Sequence, residues 1–126
     1  MDEKKNQRPE GFEQERRDCT VRALSLVANI SYEKVHNAWE NAGRKNRKGI
    51  VARKVLQKVC KSLNLEAKQV KRSGTLKKLI VQYPEGKLFC LKRGHAFALI
   101  DGVIHDENRL SSHIKGAWLI SRKVRI

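Results

Sequence analysis

Beyond Gly86 the apolar residues of this chain change their period. Before that point they recur at helical spacing; after it they fall into the short runs "KLFCLK", "HAFALI", "VIHDE" and "AWLISRKVRI". These runs are rich in branched and aromatic residues and read as strands. Asp101-Gly102 separates two of them, a strong signal for a two-residue hairpin. Helices first and an antiparallel sheet second make an α+β fold.

The helical part divides into four pieces. "CTVRALSLVAN", from Cys19 to Asn29, keeps little polar surface after Arg22 and reads as a buried central helix. Ser31 then caps "SYEKVHNAWENAG", in which Tyr32, Val35, Trp39 and Ala42 recur at helical spacing and Gly43 ends the run. His36 sits on or beside that stripe and reads as a structural histidine. After the basic loop "RKNRKG" comes "IVARKVLQKVCKSLNL", apolar at Val55, Leu56, Val59, Cys60 and Leu63 and basic at Lys54, Lys58 and Lys61, which places Cys60 in the core. A short strand around "EAKQV" follows, then a short helix in "GTLKKLIVQYPEG" with Thr75 as cap and Pro84 and Gly86 as stop.

At 126 residues the chain suffices for one domain with a modest core. Residues 1 to 10, "MDEKKNQRPE", have no hydrophobic stretch behind their charges, so they read as a mobile tail and not a secretory signal; residues 11 to 126 form the single domain. No apolar run approaches the roughly 20 residues of a membrane span, so no membrane partner is expected. Three cysteines, an odd number without CxxC spacing, fit a reduced, cytoplasmic protein and no metal site. No Gly-rich phosphate loop is present, and no cofactor is expected.

Lys plus Arg number 28 against 13 Asp plus Glu, a net charge of +15. Such a field attracts nucleic acid or another polyanion, and it also serves solubility. Arg44, Lys45, Arg47 and Lys48 form the densest cluster; Arg53-Lys54, Lys71-Arg72, Lys77-Lys78 and Arg122-Lys123 are others. Any single cluster is more simply a solvated basic surface; their number makes a polyanion a candidate partner. No aromatic residues interleave with them, which argues against a base-stacking platform.

Cys19 sits at the mouth of the buried helix, between the polar "ERRD" and the apolar run. A cysteine at a helix N-terminus meets unpaired backbone N–H groups and the positive end of the helix dipole, and both favour thiolate. It is either a nucleophile or a small residue at a helix start. A nucleophilic cysteine needs a histidine as base and a group that orients it. With Asp101-Gly102 as the turn, Ile100 faces Val103, Phe97 faces Asp106 and His95 faces Asn108. Side-chain alternation then puts His95, Phe97, Asp106 and Asn108 on one face, with either Asp106 or Asn108 as orienter. His105 points to the other face, which argues against zinc held by both histidines; His113 reads as a surface residue. The backbone N–H of Cys19 and the side chain of Gln14 are candidate donors to a developing oxyanion.

Gln14, the Asp18-Cys19 pair, "LNL" at Leu63 to Leu65, "TLKKL" from Thr75, "GHAFALI" from Gly94 and Asp106 follow one another in an order that resembles papain-like cysteine peptidases, most closely the C39-like group, which includes the leader-processing domains of bacteriocin exporters. The motifs "DCTVRAL" and "GHAFALIDG" also resemble those of small phage-encoded proteins. The likeness spans roughly residues 14 to 108. It implies a papain-like fold, a Cys19–His95–Asp106 triad assisted by Gln14, a peptide or protein substrate and a cytoplasmic, phage-host setting. The chain departs from the pattern at Glu13, where the family has Gln, at Thr20, where it has Gly, and in the short spacing from His95 to Asp106. Two functions follow as expectations: a cysteine peptidase or related amide hydrolase, or a peptidase-like protein, weak or inactive, that binds nucleic acid or an acidic partner through its basic surface.

Overall fold

The computed structural model describes residues 18–44, 52–70, 74–107 and 109–123. Four helices and five strands lie among them: α1 (Cys19–Ala28), α2 (Tyr32–Asn41), α3 (Ala52–Ser62), β1 (Leu65–Gln69), α4 (Leu76–Gln82), β2 (Lys87–Lys92), β3 (His95–Ile100), β4 (Val103–His105) and β5 (Gly116–Arg122). The strands form one antiparallel sheet in the order β1-β5-β2-β3-β4. The α+β class is therefore as the sequence indicates.

Local chemistry sets the element ends. Asn29 closes α1 in the left-handed region (φ 54°), which Asn tolerates better than most residues. Ser31 and Thr75 cap α2 and α4 by accepting the N–H of Lys34 and Lys78. Asp101 and Gly102 both carry positive φ, 48° and 80°, as a primed hairpin turn requires. The turn sets Ile100 opposite Val103 and Ala98 opposite His105, the expected register.

Alternation along the strands divides the core between the two faces of the sheet. On one face Phe89, Ala96, Ala98, Trp118 and Ile120 pack with Val21, Leu24 and Val27 of α1 and with residues of α2 and α3. On the other, Leu88, Cys90, Phe97, Leu99 and Ala117 pack with Leu76 and Leu79 of α4. Trp39, Phe89 and Trp118 continue the first face as an aromatic series, with ring centroids 6.3 Å apart at each step. α1 lies against β3 and β2 in the middle of this layer, which brings the start of the helix to the start of β3.

β4 is shorter than the run "VIHDE" suggests. The ladder stops at His105, and Asp106 turns into the left-handed region at φ 67°. Among the described residues no helix is long and apolar enough to cross a membrane.

Candidate active site

Cys19 is the first residue of α1 and is partly exposed, whereas Cys60 and Cys90 are buried; all three are free thiols. The residue before it, Asp18, occupies the cap position but makes no side-chain bond to the helix. Its buried carboxylate instead accepts the Tyr32 hydroxyl at 2.6 Å and pairs with Arg22 Nε at 3.2 Å. Asp18 is thereby spent on fixing the helix entrance and leaves the first-turn N–H groups uncapped by its side chain.

His95 follows the turn residue Gly94, whose φ of 72° favours glycine, and opens β3 opposite Lys92. Its Nε2 lies 2.7 Å from the main-chain oxygen of Asp106. A carbonyl can only accept, so Nε2 carries the proton, and in the neutral ring Nδ1 keeps its lone pair. Cys19 is hydrogen-bonded to the ring, and with Nε2 engaged, Nδ1 is the nitrogen left to meet it. The His95 ring also stacks on Phe97, with centroids 6.2 Å apart, which fixes its plane.

The electrostatics follow from these contacts. Burial by itself pushes the Cys19 thiol up; the hydrogen bond to His95, the backbone N–H of Ala96 and the charges of His95 and Arg22 together outweigh it and hold Cys19 below the ordinary thiol range. The hydrogen bond to Cys19 raises His95, burial opposes it, and the Asp106 carbonyl and the charges of Cys19 and Asp106 carry it above the ordinary imidazole range. Cys60 and Cys90, with burial and no such partners, are pushed up to about 12. Such an arrangement favours a thiolate–imidazolium pair, a nucleophile with a proton donor beside it.

The structure brings together Cys19, His95 and Asp106, but Asp106 serves otherwise than expected. Its main-chain oxygen, and not its carboxylate, holds the ring, because the strand ends one residue before the hairpin phase would have presented the side chain. The carboxylate pairs with Arg22 Nη2 at 3.2 Å. Gln14 and Asn108 lie outside the described residues, as do Lys45, Arg47 and Lys48. Arg44, which follows the end of α2, is only 2% exposed. His36 is buried beside Glu40, Nδ1 to Oε1 at 3.1 Å, in keeping with a structural role. His113 is exposed and bridges Thr75.

Four participants escaped the reading of the sequence: the Asp106 carbonyl, the Ala96 N–H, Arg22 and the ion pair of Lys92 with Glu107. The first two are main-chain groups with no residue-type signature. Arg22 did carry a signal, as the only charged residue in "CTVRALSLVA" and four residues beyond Asp18. Among the described residues no group of three or more His, Cys, Asp or Glu side chains is placed to hold a metal ion. The chain matches no protein-family model, no curated protein and no solved structure.

Proposed function

We propose that the chain is a papain-like cysteine peptidase, or a related amide hydrolase, with Cys19 as nucleophile and His95 as general acid and base. The observation that carries this reading is the imidazole of His95, engaged by Cys19 on one side and by the Asp106 carbonyl on the other. A packing cysteine needs neither partner, and Cys60 and Cys90 have neither. The nucleophile opens a central helix and the base opens a strand of an antiparallel sheet, the arrangement that the resemblance to C39-like peptidases implies.

The chemistry runs from the paired state. The Cys19 thiolate attacks the carbonyl carbon of a substrate amide, a C–S bond forms, and the electron pair moves to oxygen. The backbone N–H of Cys19 receives that charge, with Gln14 as the second donor that the resemblance to papain-like peptidases implies. Imidazolium His95 protonates the departing nitrogen as the C–N bond breaks, leaving a thioester and a neutral ring. The same ring then takes a proton from water, whose oxygen attacks the thioester, and Cys19 leaves as thiolate beside a reprotonated His95. The free thiols suit a reducing compartment such as a host cytoplasm. The test is a peptide-based electrophilic probe for cysteine peptidases, read by intact mass. One adduct on the wild-type protein and none on Cys19→Ala supports the reading; equal labelling of the two overturns it.

A second reading has its own observation. Lys54, Lys58 and Lys61 lie exposed along one face of α3, a helix without an acidic residue. That stripe, on a chain of net charge +15, suits the phosphates of a nucleic acid. Oligonucleotide binding followed by fluorescence polarisation should weaken steeply with salt and persist in Cys19→Ala. No binding at low salt contradicts it.

A further inference from the structure

We propose that Arg22 is the positioning residue of this site: its guanidinium fork ties the helix start that carries Cys19 to the loop whose carbonyl holds His95. The inference rests on the reading of Cys19 and His95 as a working pair.

The contacts close a ring. Cys19 meets His95, and His95 Nε2 donates to the Asp106 oxygen. The Asp106 carboxylate meets Arg22 Nη2, and Arg22 Nε meets Asp18, the residue next to Cys19 in the chain. Asp18 is a fixed anchor, wholly buried and held by Tyr32. Asp106 needs an anchor, because it stands beyond the end of β4 with its backbone in the left-handed region. Its neighbour Glu107 is pinned separately to Lys92 of β2, which also reaches the Ser112 hydroxyl. The segment that presents the orienting carbonyl is thus clamped from two elements, and the clamp from α1 is Arg22.

The chemistry of arginine suits this task better than that of lysine. A guanidinium presents several donors in one rigid plane and can serve two carboxylates at once; an ammonium is a point charge on a flexible stem. The alternative is that Arg22 acts only as a nearby cation on the thiol. Charge alone survives Arg22→Lys, whereas a two-ended tether does not.

The experiment uses the whole chain and no substrate. Iodoacetamide modification of Cys19 is followed against pH in the wild type, Arg22→Lys, Arg22→Met, Asp106→Asn and the double variant Arg22→Met/Asp106→Asn. In parallel, the His95 Nε2–H resonance is recorded by nitrogen-edited NMR, with thermal melts as the control for folding. Among the described residues, the charged groups around Cys19 in these profiles are His95, Arg22, Asp18 and Asp106, with Lys92 and Glu107 paired to each other. Arg22→Lys is expected to slow modification at mildly acidic pH roughly tenfold, the change that one unit of thiol pKa makes, and to broaden or shift the His95 signal. Asp106→Asn acts in the same direction while Asn tolerates the left-handed backbone, and the double variant is no slower than the slower single, since both cut one tether. If Arg22→Met fails to fold, Arg22→Lys and Asp106→Asn carry the test. Wild-type rate and an unchanged His95 signal in Arg22→Lys, or additive losses in the double variant, overturn the tether while leaving the pair intact. A wild-type Cys19 no more reactive than Cys60 or Cys90 overturns the pair, and the tether with it.

Discussion

Asp106 holds His95 through its main-chain oxygen, 2.7 Å from Nε2, while its carboxylate is turned toward Arg22. A neutral acceptor can orient a ring and fix its tautomer as a carboxylate can, but it brings no charge of its own to the imidazolium. In this site the counter-charge for His95 comes chiefly from Cys19. The pair is therefore self-compensating: each member favours the charged form of the other.

That dependence sets a pH window. Thiolate forms as pH rises through the lowered value of Cys19, and imidazolium is lost as pH rises through the raised value of His95. The two shifts move in the directions that open an interval in which both charged forms coexist; for isolated groups the order is reversed. Hydrolysis of a generic amide or ester substrate should follow a bell, its rising limb below the ordinary thiol range and its falling limb above the ordinary imidazole range, with both limbs belonging to the coupled pair. A rate that only begins to climb in the ordinary thiol range would show that no such pair exists.

The three cysteines should separate in reactivity. Cys60 and Cys90 are buried, with pKa values pushed up to about 12, and are slow on both counts. Mass-spectrometric mapping after brief iodoacetamide treatment at neutral pH should find the label on Cys19 alone, with the other two modified only on denaturation. Simultaneous labelling of all three would show an ordinary thiol at Cys19.

A steric prediction concerns the sheet beneath the site. A Cβ built on Gly116 would stand 2.7 Å from Trp118 Cη2 and 3.0 Å from its Cζ3. Trp118 is buried against Phe89 and has little room to give. Gly116→Ala should therefore cost about 1–3 kcal/mol in a denaturant titration, the usual range for overpacking. A neutral or stabilising outcome would mean that the indole rearranges freely.

Much of this fold is legible where side-chain chemistry and backbone conformation speak together. Ser31 and Thr75 are cap residues by type and by contact, and Asp101-Gly102 is a turn by type and by dihedral. Cys60 lies on an apolar stripe and is buried. The site was legible as far as Cys19 and His95, because helix-start placement and hairpin register are local properties. Orientation of the ring was not. It depends on where β4 stops: the ladder ends at His105, and the Asp106 carboxylate pairs with Arg22 across the fold. Burial at Arg44 was not legible either: it heads a basic run in sequence, while the residue itself is buried.

The thiolate itself gives the most direct measurement. Ultraviolet thiolate absorbance, taken as the wild-type spectrum minus that of Cys19→Ser, should be present from mildly acidic pH upward. In the same difference for a His95→Ala background it should appear only as pH enters or exceeds the ordinary thiol range, because the proton partner is gone. If the wild-type difference also develops only in that range, or is unchanged by His95→Ala, then Cys19 and His95 do not form the ion pair on which this account of the protein stands.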